Sequence, residues 1–132
     1  MKQVISAVKA IIIKNEKFLV IQHTLDDGTL FWDIPGGKIE FGESPYDALL
    51  RETEEETHLK IESMKPVGFW WFFRKADGHQ VVCTTFICEV QSKTLELLQV
   101  EEEFKWVTKE EFLVGDYVVG HKSLKELIDK SL

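Results

Sequence analysis

The chain has 132 residues, 44% of them hydrophobic and 30% charged, with 16 basic side chains against 23 acidic ones and a formal net charge of −7. That length suits one domain, residues 1–132, with a sizeable hydrophobic core, and the composition is ordinary for a globular protein. The negative balance, with no basic stripe to follow a phosphate backbone, excludes duplex nucleic acid as the main partner; a small anionic ligand stays open, because a bound metal inverts the local field.

The N-terminal stretch MKQVISAVKAIIIKNEK carries lysines inside its apolar run. It has no span long enough for a bilayer and no small-residue cleavage pattern, so the expected setting is cytoplasmic, with no membrane partner. Residues 4–13 and 17–23 are β-branched and apolar and predict two strands joined by a tight turn at Lys14-Asn15-Glu16. Their near-continuous hydrophobicity predicts a sheet covered on both faces. His23 closes the second strand as a rim residue. Thr24 to Leu30 is a loop by its Asp-Asp-Gly content. Phe31-Trp32-Asp33-Ile34 then runs into a glycine turn at Pro35-Gly36-Gly37, with Trp32 packed beneath it and Phe31 and Asp33 bordering a pocket.

Both glycines of that turn are free to take φ > 0 and to bring bare backbone close to a ligand or metal. Ser44 reads as the cap of a helix with Pro45 at its first position and Asp47 where a capping box places its acid. On that helix, at about 100° per residue, Glu52, Glu55 and Glu56 fall within an arc of roughly 100° together with Ala48 and Leu59. Tyr46, Leu49, Leu50, Thr53 and Thr57 hold a neighbouring, less polar arc. Like charges at this spacing destabilise a helix by about 0.2–0.5 kcal/mol per pair. Arg51 offsets Glu55 at i,i+4 and is expected to point well away from Glu52. The natural remaining partner is a hard divalent cation, since Mg²⁺ prefers carboxylate oxygens and is commonly completed by phosphates. A solvated acidic face is the plain alternative.

Beyond the helix, Ile61 to Arg74 and Gln80 to Val90 predict two strands joined by a turn around Lys75-Ala76-Asp77-Gly78. Phe69, Trp71 and Phe73 alternate with Trp70 and Phe72, so one set faces the core and the other a second layer, a groove or a partner; this strand permits a homodimer surface. Cys83 and Cys88, five apart on a strand, point to opposite faces and predict free structural thiols. Glu101-Glu102-Glu103 precede Trp106. Thr108-Lys109-Glu110-Glu111 is a capping box opening a short helix, and Leu124, Leu127 and Ile128 stand at helical spacing from Ser123 to Lys130.

The spacing Gly37, five residues, Glu43, seven residues, Arg51-Glu52-Thr53-Glu54-Glu55-Glu56-Thr57-His58-Leu59 resembles the box of the Nudix hydrolases, the MutT-like nucleotide pyrophosphohydrolases. Seven of nine fixed positions between residues 37 and 59 are met, including all five charged ones. Thr53 stands where that pattern has a bulky apolar residue, and His58 where it has the glycine that ends the helix left-handed. Histidine is enriched among non-glycine residues at φ > 0, so the helix is still expected to stop there.

The resemblance implies an α/β/α sandwich, a mixed sheet flanked by helices, that hydrolyses a nucleoside diphosphate linked to another moiety. The substrate it implies is a small nucleotide, with (deoxy)nucleoside triphosphates first in order. Mg²⁺ or Mn²⁺ would be held by Glu52, Glu55 and Glu56 with the carbonyl of Gly37, and one of Glu101, Glu102 and Glu103, with Glu102 as the candidate metal ligand, would complete the set or act as base; Glu52 is the other candidate base. Arg51 and Glu43 would pair and fix the helix against the turn. Phe31, Asp33, Lys38 and Trp71 are the candidate substrate contacts. A non-catalytic nucleotide-sensing or protein-binding module on the same fold is the competing reading.

Overall fold

The computed structural model describes residues 1–117 and 121–132. Its first two strands, β1 (Val4–Lys14) and β2 (Lys17–Thr24), meet as a hairpin with Ile13 opposite Phe18 and Lys14 opposite Lys17. Asn15 and Glu16 turn the chain at φ 51° and 65°. Two left-handed central residues match the twist of the flanking strands. There follow β3 (Leu30–Asp33), β4 (Gly36–Lys38), α1 (Pro45–Thr57), β5 (Ile61–Phe73), β6 (Gln80–Val90), a 3₁₀ turn at Ser92–Leu97, β7 (Phe104–Val107), α2 (Lys109–Val114) and α3 (Lys122–Ser131).

The sheet runs β3-β2-β1-β6-β5, with β4 against β1 and β7 against β2. β1 and β6 are parallel from Val4–Gln80 to Ile12–Cys88, and the remaining pairs are antiparallel, so the sheet is mixed. Side chains on β1 alternate between two cores. Ala7 and Ile11 join Phe18, Val20 and Trp70 beneath Phe112 of α2 and Leu124, Leu127 and Ile128 of α3. Val8, Ala10 and Ile12 join Leu19, Phe86 and Cys88 beneath Ala48 and Leu49 of α1. Burial on both faces is why β1 reads as a continuous apolar run, and the result is the expected α/β/α sandwich. Cys83 and Cys88 fall in opposite cores, buried and unpaired. Among the described residues no helix is long and apolar enough to cross a membrane.

Several local expectations need correction. The glycine turn is a short strand: Gly36 alone takes a positive φ, 146°, while Gly37 is paired with Val8. The less polar arc of α1 is divided, with Leu49, Thr53 and Thr57 buried and Tyr46 and Leu50 52% and 39% exposed. β3, β4, β7 and the 3₁₀ turn were not expected as regular structure; each has six residues or fewer, too few to establish a period.

On β5, Trp70 is buried and Phe72 packs partly against the same core, while Phe69, Trp71 and Phe73 stay exposed. β5 is an edge strand, which accommodates Pro66 at a register shift. At its outer rim the Ser123 hydroxyl accepts from the Trp71 N–H at 3.0 Å and donates to the Trp71 carbonyl at 2.7 Å.

Candidate active site

The helix α1 is fixed at both ends. Its first turn is capped by Ser44 Oγ, which accepts from the Asp47 N–H at 3.0 Å, and Pro45 follows at the first helical position. Its last turn closes on His58, left-handed at φ 63°, whose N–H donates to the Glu54 carbonyl at 2.9 Å. Ala48, Leu49, Thr53 and Thr57 face the core. Thr57 Oγ1 donates to the Thr53 carbonyl at 2.6 Å and accepts from the Leu59 N–H at 3.2 Å. The fully buried Thr53 hydroxyl has no partner among the described residues.

Arg51 is the knot of the acidic side. It meets Glu43 through two bonds, Nε to Oε2 at 2.7 Å and Nη2 to Oε1 at 2.9 Å, and its Nη2 also donates to the Lys38 carbonyl at 3.2 Å. The expected pairing with Glu43, and the tie between helix and glycine segment, are both present. The expectation that Arg51 points away from Glu52 is wrong: Nη1 reaches Glu52 Oε1 at 2.9 Å and Glu55 Oε2 at 3.3 Å. Adjacent residues diverge by about 100° on a helix, but the long arginine stem and five-donor fork span that angle. The Arg51 donors, with the Glu40 N–H, hold the Glu43 carboxyl at about 2, and the Glu43 and Glu52 carboxylates push Arg51 above its ordinary range.

Both glycines press against this helix. The Gly36 N–H donates to Glu56 Oε1 at 3.2 Å, and a Cβ on Gly36 would run into the Val8 carbonyl and the backbone of Lys9. A Cβ on Gly37 would overlap the Glu52 carboxylate. Glu56 is perturbed in the opposite direction to Glu43: burial pushes it up to about 7, despite the pull of Lys9 and the Gly36 N–H, with Asp33 and Glu102 adding to the rise.

Lys9 was not singled out from the sequence. It sits buried in β1, with Nζ 3.0 Å from Asp33 Oδ2 and 3.4 Å from the Ile34 carbonyl. Burial opposes its ammonium, but Asp33 and more distant acids outweigh it, and Lys9 stays above its ordinary value. The available signal was a lysine within a strand otherwise buried on both faces, which demands a buried counter-charge.

Glu52, Glu55, Glu56 and His58 face Glu101 and Glu102 across a cleft of about 310 Å³. Glu103 is not in its lining and instead anchors β2 through its carbonyl, which accepts from Gln22 N–H at 2.9 Å. Glu102 Oε1 stands 3.9 Å from His23 Nδ1, placing His23 at the rim. None of Phe31, Asp33, Lys38 and Trp71 lines this cleft. Phe31 lies tilted against His23 at 5.5 Å, Asp33 is committed to Lys9, and Lys38 leaves the tip of β4 beside Arg51. Trp71 is on the opposite edge of the sheet from β3.

Carboxylate oxygens in this number suit a hard divalent cation, and Glu56, buried beside a single cation, leaves room for further positive charge. Among the described residues no three acidic, histidine or cysteine side chains already form a ready-made ligand cluster.

A family model described as the NUDIX domain matches residues 5–128. Nudix hydrolase 5 of Arabidopsis thaliana is 30% identical over 115 residues, covering 79% of this chain and 36% of that protein. The matches to this and two further curated relatives span 36%, 37% and 44% of those proteins' lengths, so the chain spans less than half of each. Among solved structures, the MutT NUDIX hydrolase from Burkholderia pseudomallei superposes at TM-score 0.80 with 19% identity, over 99% of this chain and 100% of that one. The E. coli ORF135 protein superposes at TM-score 0.75 with 24% identity, over 97% and 88%.

Proposed function

The chain belongs to the NUDIX family, and on that premise we propose that residues 1–132 form one domain that hydrolyses a pyrophosphate bond with the help of a divalent cation. The substrate class is a nucleoside diphosphate linked to another moiety, with (deoxy)nucleoside triphosphates first. The observation that carries the reading is the cleft in which the α1 glutamates face Glu101 and Glu102.

In this reading Glu52, Glu55 and Glu56, with the carbonyl of Gly37, hold Mg²⁺ or Mn²⁺. When bound, the cation supplies positive charge against the phosphate oxygens. Arg51 and Glu43 lock the helix to β4, so the carboxylates stay aimed at one point. Glu102 is the better placed base: it lines the cleft from the far side, free of Arg51, whereas the Glu52 carboxylate accepts from that guanidinium. Its part is to take the proton of the attacking water. Two buried, unpaired thiols support a reducing, cytoplasmic setting.

The test is phosphate and pyrophosphate release from a nucleotide panel with Mg²⁺, comparing wild type with Glu55→Gln and Glu102→Gln. A loss of about 10²-fold or more in turnover is expected for each, the scale of a positioned acid–base group. Hydrolysis unchanged in both variants overturns the site, and binding without turnover on every nucleotide favours a sensor.

A further inference from the structure

One end of the sheet's α1 side is bare. The register sets Phe69, Trp71 and Phe73 of β5 in rows with Thr84, Val82 and Gln80 of β6, and β1 continues the last two rows with Ser6 and Val4. α1 covers this side only from Val8 and Phe86 onward, with Tyr46 of its first turn edge-on to Phe86 at 5.7 Å. Phe69, Trp71 and Phe73 belong to neither core. They stand 62%, 49% and 63% exposed, with Val4 at 68% and Tyr46 at 52% on the border. No charged side chain enters these rows on the three strands, although 30% of the chain is charged.

An aromatic side chain covers about 150–250 Å² when fully enclosed, so the three rings and Tyr46 leave roughly 350–550 Å² open, and Val4 adds to it. Two such faces bring together on the order of 1,000 Å², the area at which a specific interface begins. We propose that this bare sheet face is the contact between two copies of the chain, related by a two-fold axis close to Trp71. Pairing along the edge of β5 is the other route to a dimer, and it is obstructed. Ser123 already takes the Trp71 N–H at 3.0 Å and the Trp71 carbonyl at 2.7 Å, so an added strand finds no ladder site at the middle of the aromatic run. Apposition of the faces leaves both bonds in place. A two-fold contact must be complementary to itself, and uncharged rows let two chains of net charge −7 meet without like charges in the contact. With the strands antiparallel, Trp71 packs on its own counterpart and Phe69 on the partner's Phe73.

The experiment is sedimentation equilibrium of the whole chain over a micromolar concentration series. Wild type is compared with Trp71→Ser, Phe73→Lys, Ser123→Ala and Val114→Lys, and circular dichroism checks that each is folded. Val114 is exposed on α2, against the opposite core. Wild type should reach twice the 15.3 kDa of one chain and stop there. Both face variants should raise the dissociation constant about thirtyfold or more, the scale of a central interface aromatic. Val114→Lys and Ser123→Ala should leave it unchanged. Wild type that stays monomeric overturns the proposal and leaves the face to a different partner. A dimer that survives in both face variants, or weakens equally in Val114→Lys, places the contact elsewhere. Mass that climbs beyond two copies, or association that tightens in Ser123→Ala, overturns the face contact in favour of edge pairing.

Discussion

Replacing Glu56 with glutamine measures how strongly the fold is held against itself at the acidic cleft. Burial raises this carboxyl from its ordinary 4.5 to about 7. At about 1.4 kcal/mol for each tenfold change in proton affinity, ionising it costs the cation-free fold on the order of 3 kcal/mol. The sign follows from proton counting: between pH 4.5 and about 7 the folded chain binds more protons than the unfolded one, so stability falls as pH rises through that window. Urea unfolding of the cation-free protein from about pH 5 to pH 8 should show that decline in wild type and a flatter profile in Glu56→Gln, with the variant the more stable at pH 8. Mg²⁺ or Mn²⁺ at about 100 times its dissociation constant adds roughly 2.7 kcal/mol; the gain should appear in wild type at pH 8, fade at pH 5 and be small in the variant. Parallel profiles for the two proteins across the whole range would refute the reasoning, since the pH dependence would then arise elsewhere.

Lys9→Met strips Asp33 of its buried partner and should lower stability by about 3–5 kcal/mol, read as a fall in the urea midpoint; the double variant with Asp33→Asn should recover part of the loss. Thr53→Val removes a buried hydroxyl without a partner and should raise stability by about 1 kcal/mol at unchanged turnover. Gly37→Ala places a methyl against the Glu52 carboxylate; stability should fall by about 1–3 kcal/mol and turnover more steeply than nucleotide binding, because the acid is displaced while the cleft remains open.

Long elements were legible in the sequence because each carries its own period or punctuation. The acidic helix, its Ser44-Pro45 start, the β1–β2 hairpin and the Thr108 capping box, whose two bonds to Glu111 both form at 2.9 and 3.1 Å, depend on neighbours within a few residues. The cleft was legible on one side only. Glu52, Glu55 and Glu56 share one helix, but the choice of Glu101 and Glu102 over Glu103 depends on how the chain enters β7 beside β2, a pairing between residues more than 80 apart in the chain. Lys9 and Asp33 are separated by 24 residues and join only when β1 and β3 are brought into one sheet. The Arg51–Glu52 bond was misread because helical angles describe where a side chain leaves the backbone, not how far a long one bends.

The hydroxyl of Ser123 has a consequence for the chain as a material. β5 is a long rim strand bearing three exposed aromatic rings, the kind of edge on which another chain extends a sheet and seeds fibrous aggregates. By occupying both the N–H and the carbonyl of Trp71, one small side chain on α3 interrupts that template near its C-terminal end, at the middle one of the three exposed aromatics. An incoming strand is thereby denied an unbroken row of hydrogen-bonding sites, and colloidal behaviour is tied to how firmly the last helix stays docked.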